Sequence, residues 1–171
     1  MPPGELVGTV ASALGIVGFL GGAYVKFVRP RRRAIRIRRF CALVQEWFDM
    51  IDGSDIINLS LPALDVQEKR VAMFLRDNKL EDVRLCFSPK FRRKFLTDCG
   101  IKGELRDSPE LFEKYSGCPV RGTDLKSFWW SMLGAFYEFR KHYEAQDGLA
   151  NFGNVEMRVK LLKAYSGVLT A

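Results

Sequence analysis

The sequence predicts an all-α protein, with one N-terminal transmembrane helix followed by a compact helical domain of about five to six helices. Three observations carry that expectation. Residues Leu6 to Val25 form a run of twenty residues without a charge. Beyond them, apolar residues recur at three- and four-residue steps, which is the helical period. Between the periodic stretches, Pro, Gly and Ser-Pro pairs fall where helices start and stop. The expected organisation is an anchor over residues 1–28, a basic juxtamembrane amphipathic helix over 29–53, and a helical domain over 54–171.

The anchor is argued from length and flanks. At 1.5 Å per residue, the stretch LVGTVASALGIVGFLGGAYV reaches roughly 30 Å, the thickness of a bilayer's hydrocarbon core. Tyr24 and Phe27 suit an interface, and Lys26 can extend its ammonium outward. A cleaved signal peptide would carry positive charge before a shorter apolar run. Here the run is preceded by Glu5 and by no Lys or Arg. Ala11, Gly15, Gly18 and Gly22 share one helical face, where small side chains let another helix approach closely. This face is expected to pack against a second transmembrane helix. The run GIVGFLGG lacks the preceding strand that a dinucleotide-binding turn requires.

Charge sets the orientation. Between Arg29 and Arg39 stand seven Arg and no acid. Without these seven, the 27 basic residues fall to 20, equal to the 20 acidic ones, so the rest of the chain is formally neutral. The net charge of +7 is therefore a local feature beside the anchor and argues against a nucleic-acid-binding domain. Positive residues stay on the cytoplasmic side of membranes, or on the matrix or stromal side in organelles. The N-terminus is thus expected outside and the domain inside. Arg29, Arg31, Arg32, Arg33, Arg36 and Arg39 are the residues expected to meet anionic lipid headgroups.

Pro30 marks the start of the first domain helix. Ile37, Phe40, Cys41, Val44, Trp47, Phe48 and Ile51 form its apolar stripe, and Gly53 ends it. Asn58 to Pro62 reads as a connection; Asn58-Leu59-Ser60 is formally a glycosylation sequon. The next helix runs from Asp65 to Asn78, with Val71, Phe74 and Leu75 inward and Glu68, Lys69 and Arg76 toward water. Leu80, Val83, Leu85 and Phe87 fit neither period well and are assigned to a short helix opened by Glu81 and Asp82. Ser88-Pro89 caps PKFRRKFLTD. There Lys90, Arg92, Arg93 and Lys94 alternate with Phe91 and Phe95, a mixture that suits lipid or single strands. One-turn spacing instead places both rings in the core. Ser108-Pro109 opens a helix through Tyr115, ended by Gly117. Thr123-Asp124 opens the expected longest soluble helix, through Ala145. Its broad apolar surface, with Trp130 and Tyr137 off the main stripe, predicts cover on more than one side, and Gly134 predicts close helix contact. A final helix spans about Val155 to Ser166.

No catalytic constellation emerges. The single histidine, His142, stands near a helix end and offers no nucleophile pair. The cysteines Cys41, Cys86, Cys99 and Cys118 lack close-set metal spacing and read as buried free thiols. Asp49, Asp52 and Asp55 around Gly53 lack the calcium-loop pattern and suit turns. No cofactor or metal is implied. The expectation is a non-catalytic interaction module or complex subunit at the membrane surface, binding a protein partner or a second copy. The alternative is a membrane-tethered enzyme or effector whose site is assembled from scattered residues. A deep polar pocket would favour the enzyme, and an exposed apolar groove the module.

Overall fold

The computed structural model describes residues 29–53, 59–145 and 152–169. These form six α-helices: α1 (Arg29–Asp52), α2 (Leu61–Asp77), α3 (Pro89–Asp98), α4 (Pro109–Ser116), α5 (Leu125–Ala145) and α6 (Gly153–Val168). A 3₁₀ segment at Gly103–Asp107 and two short strands, β1 (Arg84–Leu85) and β2 (Thr123–Asp124), complete the set. Among the described residues no helix is long and apolar enough to cross a membrane. The segment Leu6–Val25, with Ala11, Gly15, Gly18 and Gly22, lies outside them. By contacts the chain divides into two units, residues 1–36 and 37–171. Of the first, only the opening turns of α1 are described; the second carries the core.

In that core, α1 contributes Ile37, Phe40, Leu43, Val44, Trp47, Phe48 and Ile51, all buried. Trp47 meets Trp129 and Phe136 of α5 edge-on, with ring centroids 5.2 and 5.5 Å apart. Phe48 stacks on Phe152 just before α6 at 5.5 Å, and Phe152 in turn meets Phe139 of α5 at 5.0 Å. These ring contacts join α1, α5 and the start of α6. A second aromatic cluster unites Phe87, Phe91, Phe95, Phe112 and Tyr165, so that α3, α4 and α6 share one interior. The one-turn spacing of Phe91 and Phe95 places their rings inward, with Phe95 buried and Phe91 half-buried.

Caps follow the sequence closely in α3 and α4. The Phe91 and Leu111 amides donate to the hydroxyls of Ser88 and Ser108, each at 3.2 Å. Pro follows each Ser, where its missing N–H is not needed. Gly117 ends α4 at φ 64°, a left-handed cap that glycine takes without a Cβ penalty. Gly122 is more tightly required. At φ 88°, a Cβ there would come within 2.2 Å of the Leu85 carbonyl oxygen, which is backbone and cannot move aside. This approach brings the Thr123 strand alongside β1.

Four expectations are corrected. Helix α2 begins at Leu61 rather than Asp65, because Pro62 serves as an early helical position instead of a linker residue. The stretch from Leu80 to Phe87 is a turn and strand, not a helix. Val83, Leu85 and Phe87 are buried while Arg84 and Cys86 are exposed, a two-residue period. Arg84 pairs with Asp124 and Leu85 with Thr123 in antiparallel register, and Glu81 meets Lys126 at 3.3 Å. At 24 residues, α1 exceeds the 21 of α5. Finally, the part of α5 that carries Trp130 and Gly134 is not covered. Trp130 is 59% exposed and Tyr137 44% exposed, and a Cβ at Gly134 would meet nothing within 4 Å.

Gly134→Ala therefore removes a backbone entropy cost without creating a clash. It is expected to raise unfolding free energy by about 1 kcal/mol in urea titration. A loss of stability would show that something packs against this face.

Candidate functional site

The site is built on the two sides of α1. On one side, α1 and α2 border a groove of about 590 Å³. Leu43 and Phe74 form its apolar lining together with Val66 and Met73, which are 66% and 52% exposed. Val66 and Met73 stand seven residues apart on α2, two turns along one face, opposite the buried Leu64, Val71 and Leu75. Arg39, Lys69, Arg70, Asp77 and Asn78 supply the polar border. On the other side, α1 and α6 border a smaller hollow of about 210 Å³ with Arg38, Cys41, Gln45, Leu162 and Lys163 around it.

The α1–α2 pair is fastened by polar contacts that leave the groove open. The buried amide of Gln67 donates to the Leu43 carbonyl at 3.1 Å, and Arg70 donates to Glu46 at 3.1 Å. Farther along, the Tyr137 hydroxyl lies 2.9 and 3.0 Å from the two carboxylate oxygens of Glu68. The Trp47 indole N–H reaches the same carboxylate at 3.4 Å. Helices α1, α2 and α5 therefore meet at one carboxylate. Glu68 was expected in water; it is half-buried instead, and burial raises its pKa against the lowering effect of the Tyr137 and Trp47 bonds. Burial, then the bond to Glu68, pushes Tyr137 up to about 12. Glu68 does not line either hollow, and its acceptors are used by partners from neighbouring helices. Its place is that of a fastening between helices.

Arg31, Arg32, Arg33, Arg36, Arg38 and Arg39 are all exposed; the side chain of Arg29 lies outside the described set. In the second basic spot the charges are partly neutralised. Arg93 binds Asp107 through two bonds of 2.8 and 3.0 Å, and Lys94 lies 3.7 Å from Asp98. Elsewhere Lys69, Arg76, Arg140 and Lys160 each meet an acid. Exposed pairs of this sort contribute little stability, but they do cancel field.

Burial of the thiols is uneven, which corrects the expectation that all are interior. Cys118 is buried, Cys41 and Cys99 are half-buried, and Cys86 is exposed. Burial pushes Cys41 and Cys118 up to about 12, which holds them as neutral thiols. Asp49 accepts from the Gln45 amide at 2.7 Å, and Asp52 faces solvent. Among the described residues no three His, Cys, Asp or Glu gather around a common point.

Sequence reasoning placed Arg39 at the surface but attached no groove to it. It overlooked Leu43, Val66 and Met73. Leu43 does lie on the α1 stripe, three residues after Phe40 and four before Trp47, and that spacing was the available signal. Val66 and Met73 gave none, since a single exposed apolar residue is ordinary. No protein-family model matches the chain, and no curated protein or solved structure is significantly similar to it.

Tyr137→Phe removes the larger of the two bonds that lower the Glu68 pKa, so this carboxyl should titrate still higher by carboxyl ¹³C NMR. With its folded pKa raised, protonated Glu68 favours the folded state below the ordinary carboxylate range. That contribution is lost as pH rises through the folded value. A Glu68 titration at or below the ordinary Glu value would contradict the described burial.

Proposed function

We propose that this chain is a membrane-anchored, non-catalytic interaction module. In this reading Leu6–Val25 spans the bilayer, the N-terminus lies outside, and the helical domain sits on the cytoplasmic, matrix or stromal side. Arg29, Arg31, Arg32, Arg33, Arg36 and Arg39 contact anionic headgroups. Ala11, Gly15, Gly18 and Gly22 form a packing face for another transmembrane helix, from a second copy or from a complex partner.

The observation that carries the reading is the placement of basic charge. Arg31, Arg32, Arg33, Arg36, Arg38 and Arg39 stand exposed on α1, a few residues after the apolar run in sequence, and the 20 basic residues outside the seven-Arg block are equalled in number by the 20 acidic ones. Cations near an anionic leaflet each contribute about 1 kcal/mol to attraction. An exposed apolar groove supports binding over catalysis, because catalytic pockets hold converging polar groups.

The test uses the domain expressed from Arg29 onward and vesicles containing phosphatidylserine. Replacing Arg31, Arg32, Arg33 and Arg36 with Gln should weaken binding at least about tenfold, and raising salt to 1 M should act in the same direction as the Debye length falls to about 3 Å. Equal binding by the variant would remove the lipid role.

A further inference from the structure

We infer that Ile35 is an apolar contact with the membrane, entering an anionic leaflet while Arg31, Arg32, Arg38 and Arg39 hold the headgroups around it. The inference rests on the anchored reading and names the face of α1 that meets the lipid.

The geometry is that of one helix. A helix turns about 100° per residue, so a side chain shares its face with those three and four positions away. For Ile35 these neighbours are Arg31, Arg32, Arg38 and Arg39, and all four are exposed. The buried Ile37, Phe40, Val44 and Trp47 stand about 120° or more around the helix from Ile35. Ile35 is therefore at the middle of the outer face of α1, and it is 61% exposed. Arg33, about 160° away, does not share this face. A lone exposed isoleucine is ordinary on a protein surface. One with arginine at all four neighbouring positions, and no acid between Arg29 and Arg39, is a patterned surface.

An apolar residue ringed by cations fits a surface with anions at its rim and hydrocarbon beneath. An anionic leaflet is such a surface, with phosphates and carboxylates outside and acyl chains below them. Arginine suits the rim, because its stem lies along apolar surface while the guanidinium forms forked bonds to phosphate. A nucleic-acid backbone would match the arginines and offer Ile35 no apolar interior. Position selects lipid over an acidic protein. The four residues from Val25 to Arg29 span at most about 14 Å, and the six helical residues from there to Ile35 add about 9 Å. With Leu6–Val25 in the bilayer, the chain keeps Ile35 beside the leaflet, and a protein partner would have to displace lipid already there.

The experiment uses the full chain in phosphatidylcholine nanodiscs with and without phosphatidylserine, carrying ¹³C on the isoleucine δ1 methyls. The Ile35 signal is assigned with Ile35→Val. One probe is a lipid with a nitroxide near the top of its acyl chain, and the other is a soluble gadolinium chelate. In phosphatidylserine discs the nitroxide should broaden Ile35 at least about fivefold more than the buried Ile51, and the chelate should leave Ile35 sharp. Omitting phosphatidylserine should reduce the nitroxide effect about threefold. Arg38→Gln should reduce it similarly, whereas Arg33→Gln, the same charge change on another face, should leave it nearly unchanged. Both positions are exposed, so thermal melting should not move.

The inference is overturned if the chelate broadens Ile35 in phosphatidylserine discs and the nitroxide does not. Equal effects of Arg33→Gln and Arg38→Gln would also overturn it, by reducing the pattern to diffuse charge. So would a single-stranded oligonucleotide that shifts the Ile35 methyl when phosphatidylserine does not. Weaker vesicle binding by the four-arginine variant, together with a water-exposed Ile35, would keep the headgroup contacts and remove the insertion. A glycan on Asn58 would invert the topology without changing whether Ile35 enters the leaflet it meets, so the two failures are separable.

Discussion

Trp47 is the residue on which the arrangement turns. It is fully buried, meets Trp129 and Phe136 edge-on, and directs its N–H at Glu68, which Tyr137 also holds. Edge-to-face aromatic pairs add about 0.5–1.5 kcal/mol each beyond their buried area. More important here, they fix the rotation of α1 about its own axis. One residue of slip is a turn of about 100°. That slip would carry Arg38 or Arg39 toward positions now filled by Ile37 and Phe40, and an uncompensated charge would enter the interior at a cost of several kcal/mol. The core face of α1 therefore determines where its basic face lies.

This coupling explains why one helix bounds two hollows. With Ile37, Phe40, Val44 and Trp47 inward, Arg39 must border the α2 side and Arg38 the α6 side. Gln67 then holds α2 against the α1 backbone by one buried hydrogen bond to Leu43, a contact worth roughly 1 kcal/mol and more if broken on one side only. Val66 and Met73, being on the far side of α2 from Val71 and Leu75, are left outward beside Arg39. The groove is thus a consequence of how α2 is fastened.

How much was legible in the sequence depended on the physical signal at each place. Period and capping are local, so α1, α3, α4, α5 and α6 were found, α3 and α4 with their Ser-Pro caps and α1 and α5 with most of their inward residues. The strand at Arg84–Leu85 was not found because two residues give too little alternation. Its partner, Thr123–Asp124, is about forty residues away in the chain. Glu68 looked like a water-facing acid on α2, since nothing nearby in sequence reveals Tyr137, 69 residues on. Trp130 and Tyr137 were expected to be covered, because periodicity shows which residues are apolar but not how many neighbours a helix has. The groove was invisible for a related reason: it is a space between two helices, and of its lining only Arg39 had been named as a contact residue.

In the proposed account, the arginine block does two things with one set of charges. It directs the topology of the apolar segment before it and meets the anionic headgroups beside it. The first role is the more decisive, because it determines which side of the membrane the partner must occupy. The most direct measurement is glycosylation and protease protection of the full chain made in sealed microsomes. The account predicts that Asn58, within its Asn-Leu-Ser sequon, stays unmodified and that added protease removes the C-terminal domain. A glycan on Asn58 together with a protected C-terminus would contradict it and place the domain on the opposite side.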